Sequence, residues 1–327
     1  MKAMVQDTYG SAHVLRLDDV DLPEMGPEDV LVRVRAAGVD AGVWHLMAGQ
    51  PYLARAMGFG LRAPKVRTRG MEVAGVVEAV GAQVTQLRPG DTVFGTCDGS
   101  FAEYATARPS SLTRMPTTID FVHAAAVPVS GVTALQGLRD AGKVEPGQRV
   151  LVIGGGGGVG TFAVQLAKAF GAEVTGVCGT AKVDLVRSLG ADDVIDYSSE
   201  AITAKGRRYD LVLDTAGNRP LSLLRKVLTP QGTLVIVGGE GGGRWFGGLH
   251  RQLGASLLSP FVGHTLRGLF ATVRPDDLSL LAGLIESGQI TPVIDRTYPL
   301  DRAADAVRYQ HEGHACGKVV LTVSDGR

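Results

Sequence analysis

The sequence predicts an α/β protein of two domains: a β-rich domain, and a doubly wound parallel sheet inserted into it. Three observations lead there. The first third holds short strands punctuated by turns. From about Phe121 onward, short apolar strands alternate with helical stretches. The tail returns to mixed structure and closes on one more strand. A length of 327 residues accommodates two domains at roughly 150 residues each. The expected division places residues 1–122 and 265–327 in the β-rich domain and residues 123–264 in the inserted one.

Each element has its own signal. Val30–Arg35 alternates apolar and polar, as a half-buried strand does. Glu72–Val80 is an extended apolar run closed by Gly81. Pro89-Gly90-Asp91 makes a turn before the strand Thr92–Phe94, and Gly99–Ala105 reads as a further strand. Helical spacing then covers Ala124–Ala141. Arg149–Ile153 is a short apolar strand of the buried parallel kind. The expected alternation continues with a helix over Thr161–Phe170, a strand over Glu173–Cys178, a helix over Lys182–Leu189 and a strand over Asp193–Tyr197. The strand Tyr209–Asp214, the helix Leu221–Leu228 and the strand Thr233–Val237 complete it. Asp276–Ser287 and Asp301–Glu312 read as amphipathic helices, and Lys318–Val323 as the last strand.

Composition excludes several classes. Hydrophobic residues make up 45%, enough for a full core. Lys plus Arg and Asp plus Glu both count 33, so no net charge draws the chain to nucleic acid or acidic membranes. The basic stretch Arg62–Arg69 is short, lacks interleaved aromatics and reads as a solvated loop. Cys97, Cys178 and Cys316 are far apart, which leaves neither a disulfide framework nor a cysteine-rich zinc lobe. No apolar run approaches the 18 or so residues of a membrane span. The start, Met1–Asp7, lacks the apolar region of a signal peptide, so a reducing, cytoplasmic setting is expected.

Glycine stands out at 45 residues of 327, about twice the usual ~7%. It clusters at Gly154–Gly160 and Gly238–Gly248. Within the first cluster one GxGxxG frame fits, on Gly155, Gly157 and Gly160, and Gly158 and Val159 complete the turn. It follows a strand and opens a helix, the context of a dinucleotide fingerprint. Glycine permits the tight turn, lets backbone N–H groups approach a pyrophosphate, and leaves the helix N-terminus to favour its charge. NAD sites place an acid at the end of the next strand for the ribose 2′-hydroxyl. Here that strand ends Cys178-Gly179-Thr180, no acid comes before Asp184, and Lys182 is near. The expected cofactor is therefore NADP(H), with Thr180 capping the following helix and contacting the phosphate.

With these residues the chain resembles the medium-chain dehydrogenase/reductase superfamily, in its zinc-independent quinone oxidoreductase (zeta-crystallin-like) branch. The resemblance rests on Gly147–Leu151, Gly155–Gly160 and Gln165–Lys168. Gly70-Met71-Glu72, Gly75, Gly81, Pro89–Asp91 and Gly317–Val320 add its flanking landmarks. It implies a GroES-like domain beside a Rossmann domain, an active site in the cleft between them, and a homodimer. It implies further that Ser130 and Thr133 pack the nicotinamide, Tyr197 contacts the 2′-phosphate, and Asn218 with Val237, Gly238 and Gly239 holds the ribose and carboxamide. The zinc ligands of metal-containing members fall on Asp40, Met71 and Val129, and one carboxylate does not hold zinc. Their hydroxyl relay falls on Gly42.

What remains is hydride delivery to an electrophilic carbon, in a quinone or an α,β-unsaturated carbonyl, from a cofactor the protein orients. The product anion needs hydrogen bonds and a proton. Candidate catalytic residues are His45, Asp40 and Tyr52; Glu72 reads as a structural carboxylate. Arg244 is a candidate for the cofactor phosphates. Trp245 and Phe246 line either a pocket for a small hydrophobic substrate or an interface. Two alternatives stay open: an enoyl-thioester reductase of a lipid or polyketide pathway, and a non-catalytic NADPH-binding protein.

Overall fold

The computed structural model describes residues 1–238 and 243–324, with the backbone alone at Ala54, Met57, Arg244 and Leu249. It divides into two compact units. The first comprises Met1–Val132, Val273–Gly288 and Pro292–Arg327. The second comprises Thr133–Thr272 and Gln289–Thr291.

In the first unit, β1 (Lys2–Val5) pairs antiparallel with β2 (Arg16–Asp19). β3 (Val30–Val39) is the spine of the larger sheet. Its first half alternates, with Val30, Val32 and Val34 buried, whereas Ala36–Val39 is buried on both faces. Asp40 then caps α1 (Ala41–Ala48). The helix stops at Gly49, whose φ of +61° is a left-handed conformation suited to glycine. α2 (Tyr52–Ala54) runs into an irregular turn kinked at Gly58. The strands β4 (Glu72–Val80), β5 (Thr92–Thr96), β6 (Tyr104–Ala107) and β7 (Leu112–Arg114) follow, then α3 (Phe121–Ala125).

Three expectations change here. The strand predicted over 99–105 lies at Tyr104–Ala107, because the chain before it spends its backbone bonds elsewhere: Phe101 N–H donates to Arg69 O and accepts Met4 N–H on its own carbonyl. The helix predicted over 124–141 is broken at Ala126–Val127. Pro128 has no N–H and starts a new helix, α4 (Pro128–Gln136), which loosens into a wider turn over Gly137–Ala141. The basic stretch is not uniformly solvated. Arg67 pairs with Asp7 at 2.7 Å, and Arg69 is 5% exposed.

The chain passes into the second unit within α4. There β8 (Arg149–Ile153), α5 (Gly158–Ala169), β9 (Glu173–Cys178), α6 (Val183–Ser188) and β10 (Asp193–Asp196) alternate. β11 (Tyr209–Asp214), α7 (Leu221–Lys226), β12 (Leu228–Ile236), α8 (Gly243–Phe246), α9 (Leu249–Leu258) and β13 (Thr265–Gly268) follow. The six strands form a parallel sheet in the order β10-β9-β8-β11-β12-β13. This is the doubly wound order, reversing between β8 and β11. Val150–Ile153 and Leu211–Asp214 are buried, as central strands covered on both faces must be.

The predicted domain limits move accordingly. Thr265–Gly268 pairs in register with Thr233–Ile236, so the inserted unit extends to Thr272 rather than 264. The first unit extends to Val132 rather than 122. Residues 289–291 also return to the second unit, where Gln165 exchanges hydrogen bonds with the Thr291 backbone in both directions.

The first unit is completed by α10 (Pro275–Glu286), β14 (Ile294–Pro299), α11 (Ala303–His311) and β15 (Lys318–Thr322). Its seven-stranded sheet runs β14-β15-β3-β4-β5-β7, with β6 also on β3. Among the described residues, no helix is long and apolar enough to cross a membrane.

Candidate cofactor and active site

The carboxyl ends of the six parallel strands gather most of the predicted cofactor residues. At the end of β8 the backbone N–H groups of Gly154 and Gly155 both donate to Val177 O, and Gly157 N–H donates to Gly154 O at 3.0 Å. This closes a turn from which α5 starts, with Gly157 in the capping position. Gly154 has φ +84°, and a Cβ there would sit 2.5 Å from Thr215 Oγ1. A Cβ on Gly160 would overlap the Gly154 carbonyl oxygen, so the third glycine is required for the helix to approach the turn. A Cβ on Gly157 would find Gly154 O at 3.4 Å and nothing closer. The space over Gly157 is thus left open by the protein, as a pyrophosphate resting on the N–H groups of Gly158, Val159 and Gly160 requires.

Beyond β9, Lys182 lies along the turn: a Cβ on Gly156 would sit 2.8 Å from its Cβ and Cδ. Tyr197, after β10, is 59% exposed, and its hydroxyl lies 3.0 Å from where a Gly179 Cβ would be. Lys182 and Tyr197 therefore flank the position where an NAD site carries its acid. Thr180 differs from expectation. It caps no helix; its hydroxyl donates to Asp196 Oδ2 at 2.6 Å. That bond and the Ser198 N–H hold the Asp196 carboxyl below the usual range.

At the end of β11 lies a group that the linear reading missed. Asp214 is fully buried; it accepts Gly217 N–H on Oδ1 and Arg251 Nη2 on Oδ2 at 2.8 Å. The same Arg251 nitrogen donates to Arg219 O at 2.6 Å. The pair anchors the loop that carries Asn218, whose side chain is exposed and accepts Arg219 Nη1 at 3.4 Å. An acid closing the apolar run Leu211–Leu213 was the available signal, but its partner is 37 residues away. Val237 and Gly238 follow β12, with Val237 N–H on Asp214 O. Thr133 is half-buried in the second unit. Trp245 and Phe246 are exposed on α8. Gly239 and the Arg244 side chain lie outside the described residues.

The remaining candidates belong to the first unit. Asp40 is 8% exposed. Its Oδ1 accepts Gly42 N–H at 2.6 Å and Val43 N–H at 3.2 Å, while Oδ2 is buried without a hydrogen-bond partner. His45 is exposed on the last turn of α1, about 7 Å further along the axis, where its Nδ1 meets Gln50 O at 3.2 Å. The Tyr52 ring lies under the Arg55 guanidinium, 4.7 Å away. Ser130 is buried near the start of α4. Glu72 is fully buried. Its Oε1 accepts Val129 N–H at 2.8 Å and its Oε2 accepts Lys318 Nζ. Burial pushes this carboxyl up and Lys318 opposes the shift. The contacts tie β4, β15 and the start of α4 together, a structural arrangement. Met71 and Val129 offer thioether and hydrocarbon where zinc needs imidazole, thiolate or carboxylate. Among the described residues, no group of three His, Cys, Asp or Glu side chains is placed to hold a metal ion.

Comparison with known proteins agrees with this geometry. Residues 26–117 match the alcohol dehydrogenase GroES-like domain, and residues 189–321 match the family described as zinc-binding dehydrogenase. The chain is 34% identical to the chloroplastic NADPH-dependent alkenal/one oxidoreductase of Arabidopsis thaliana, over 98% of this chain and 79% of that one. It is 30% identical to the quinone oxidoreductase of Homo sapiens, over 98% and 97%. The solved quinone oxidoreductase of Coxiella burnetii superposes with a TM-score of 0.86 at 27% identity, covering 99% of both chains. A GroES-like unit, a Rossmann unit in the 3-2-1-4-5-6 order and full-length similarity agree: the chain belongs to the medium-chain dehydrogenase/reductase superfamily, in its quinone oxidoreductase branch.

Proposed function

We propose that this protein is an NADPH-dependent, zinc-independent reductase that passes a hydride to a quinone or to the β-carbon of an α,β-unsaturated carbonyl. The observation that carries the reading is the carboxyl edge of the parallel sheet. Its glycine turn is open over Gly157, and Lys182 and Tyr197 stand where an NAD site would hold an acid. The names of the Arabidopsis and human relatives support the same chemistry. Bound NADPH supplies the hydride. The chain's part is to seat the pyrophosphate on the N–H groups of Gly158, Val159 and Gly160, to meet the 2′-phosphate with Lys182 and Tyr197, and to hold the ribose and carboxamide with Asn218, Val237 and Gly238. Ser130 and Thr133 pack the nicotinamide, and Trp245 with Phe246 lines the pocket for a small hydrophobic substrate.

Among the polar candidates, Asp40 is the one suited to proton handling. Its Oδ2 is a buried acceptor without a protein partner, whereas His45 and Tyr52 meet Gln50 and Arg55. Asp40→Asn keeps a capping side chain and replaces the acceptor. It is expected to lower kcat about tenfold or more while the dissociation constant for NADPH stays unchanged; an unchanged kcat would confine Asp40 to capping.

The decisive experiment follows NADPH and NADH oxidation with a panel of quinones, enones and enoyl-CoA thioesters, with and without a chelator. Turnover of quinones or enones that favours NADPH and survives chelation is expected. Turnover of thioesters alone would move the protein to the enoyl-thioester reductases. Tight NADPH binding with no turnover on any substrate would make it a non-catalytic binder. We further propose a cytoplasmic homodimer joined through β13. That strand ends the parallel sheet, and exposed Leu253, Leu257 and Phe261 recur every four residues beside it.

A further inference from the structure

The topology brings Arg219 to the same ligand. It follows β11, whereas Tyr197 follows β10, three strand spacings away in the sheet order, about 14 Å. The two side chains nevertheless meet. The Arg219 guanidinium carbon stands 5.8 Å from the centre of the Tyr197 ring, so together they bridge from one side of the glycine turn to the other. The Arg219 backbone is fixed, because its carbonyl accepts Arg251, itself paired with buried Asp214. Among the described residues its guanidinium is held by long contacts alone: the ring at 5.8 Å, near the outer limit of a cation–π interaction, and Asn218 Oδ1 at 3.4 Å. Among the described residues no carboxylate pairs with it. Asp196, the nearest acid in sequence to Tyr197, already accepts the Thr180 hydroxyl and the Ser198 N–H. A planar cation on an anchored backbone, weakly held at the rim of an anion site, is placed to form charge-assisted bonds with a phosphate.

We propose that Arg219 is a specificity-determining residue for NADP(H), meeting the adenosine 2′-phosphate from the β11 side while Lys182 meets it from the β9 side, with Tyr197 between them. This rests on NADP(H) being the cofactor. The 2′-phosphate is the one group that NADPH has and NADH lacks, so a contact to it changes one affinity and leaves the other.

The test is direct binding, independent of turnover: titration of wild type, Arg219→Ala and Arg219→Lys with NADPH, NADH and adenosine 2′,5′-bisphosphate at fixed ionic strength. Arg219→Ala is expected to weaken NADPH and the bisphosphate roughly tenfold, the effect of one charge-assisted bond at a partly exposed site, with NADH within about twofold. Arg219→Lys is expected to recover most of the loss. Equal weakening of NADPH and NADH would overturn the proposal in favour of a structural role for Arg219, and unchanged NADPH binding would overturn it outright. A wild type that binds NADPH no better than NADH would sink the cofactor reading itself, before any variant is compared.

Discussion

Lys318 and Glu72 are 2% and 0% exposed, so neither ion has water to solvate it. Each depends on the other, and Glu72 also on Val129 N–H. Removing one partner of such a pair leaves an uncompensated buried charge, at a cost of about 3–5 kcal/mol. Lys318→Met is therefore expected to lower the urea midpoint of the first unit by a corresponding amount. Glu72→Gln combined with Lys318→Met should cost less than the sum of the single changes; strict additivity would mean that the two side chains are not energetically paired. Either partner alone reads in sequence as a polar residue beside an apolar strand. Their contact joins positions 246 apart, and no local pattern announces a pairing at that distance. Arg69 is a similar case. Its stretch of cations reads as solvated, but its backbone is bonded to Met4 and Phe101, which draws the side chain inside.

The turn from β8 into α5 separates two uses of glycine that look alike in the sequence. Gly160 is needed by the protein, since a Cβ there overlaps the Gly154 carbonyl oxygen. Gly157 has room for one. Gly160→Ala is expected to lower the melting temperature, at about 1–3 kcal/mol for overpacking, and to weaken NADPH as the turn shifts. Gly157→Ala should leave the melting temperature near that of wild type and weaken NADPH by tenfold or more, because the pyrophosphate approaches the backbone there. Equal melting losses in both variants would contradict this division. The strand–turn–helix setting was legible because the central strands are covered on both faces and so read as continuous apolar runs. β13 was not legible. Thr265–Gly268 is four residues with two polar side chains, and it becomes a strand only because β12 offers an open edge.

The largest scale concerns assembly. Among the described residues β13 pairs on one side only, and Leu253, Leu257 and Phe261 are 59%, 73% and 85% exposed nearby, with Phe270 at 69% just beyond the strand. An unpaired edge flanked by apolar side chains is a surface that associates unless it is covered. A second copy presenting the same edge satisfies both needs in a closed, two-fold arrangement. Leu257→Glu with Phe261→Glu is expected to shift the sedimentation coefficient from dimer to monomer without loss of secondary structure, and a dimer that persists in this variant would place the interface elsewhere.

The amino-acid pattern by itself settled the alternation of strands and helices, the register of the glycine turn and the missing acid that points to NADP(H). The first two depend on neighbours within a few residues, where periodicity and backbone sterics act directly, and the third on the end of the very next strand. It also showed which chemistry lacked its residues, since Met71 and Val129 cannot act as zinc ligands in any conformation. The tertiary structure decided the limits of the two units, the Asp214–Arg251 anchor and the meeting of Arg219 with Tyr197. Those outcomes depend on which strands lie side by side, and strand order is set by burying apolar faces across the whole sheet rather than by any one stretch of sequence.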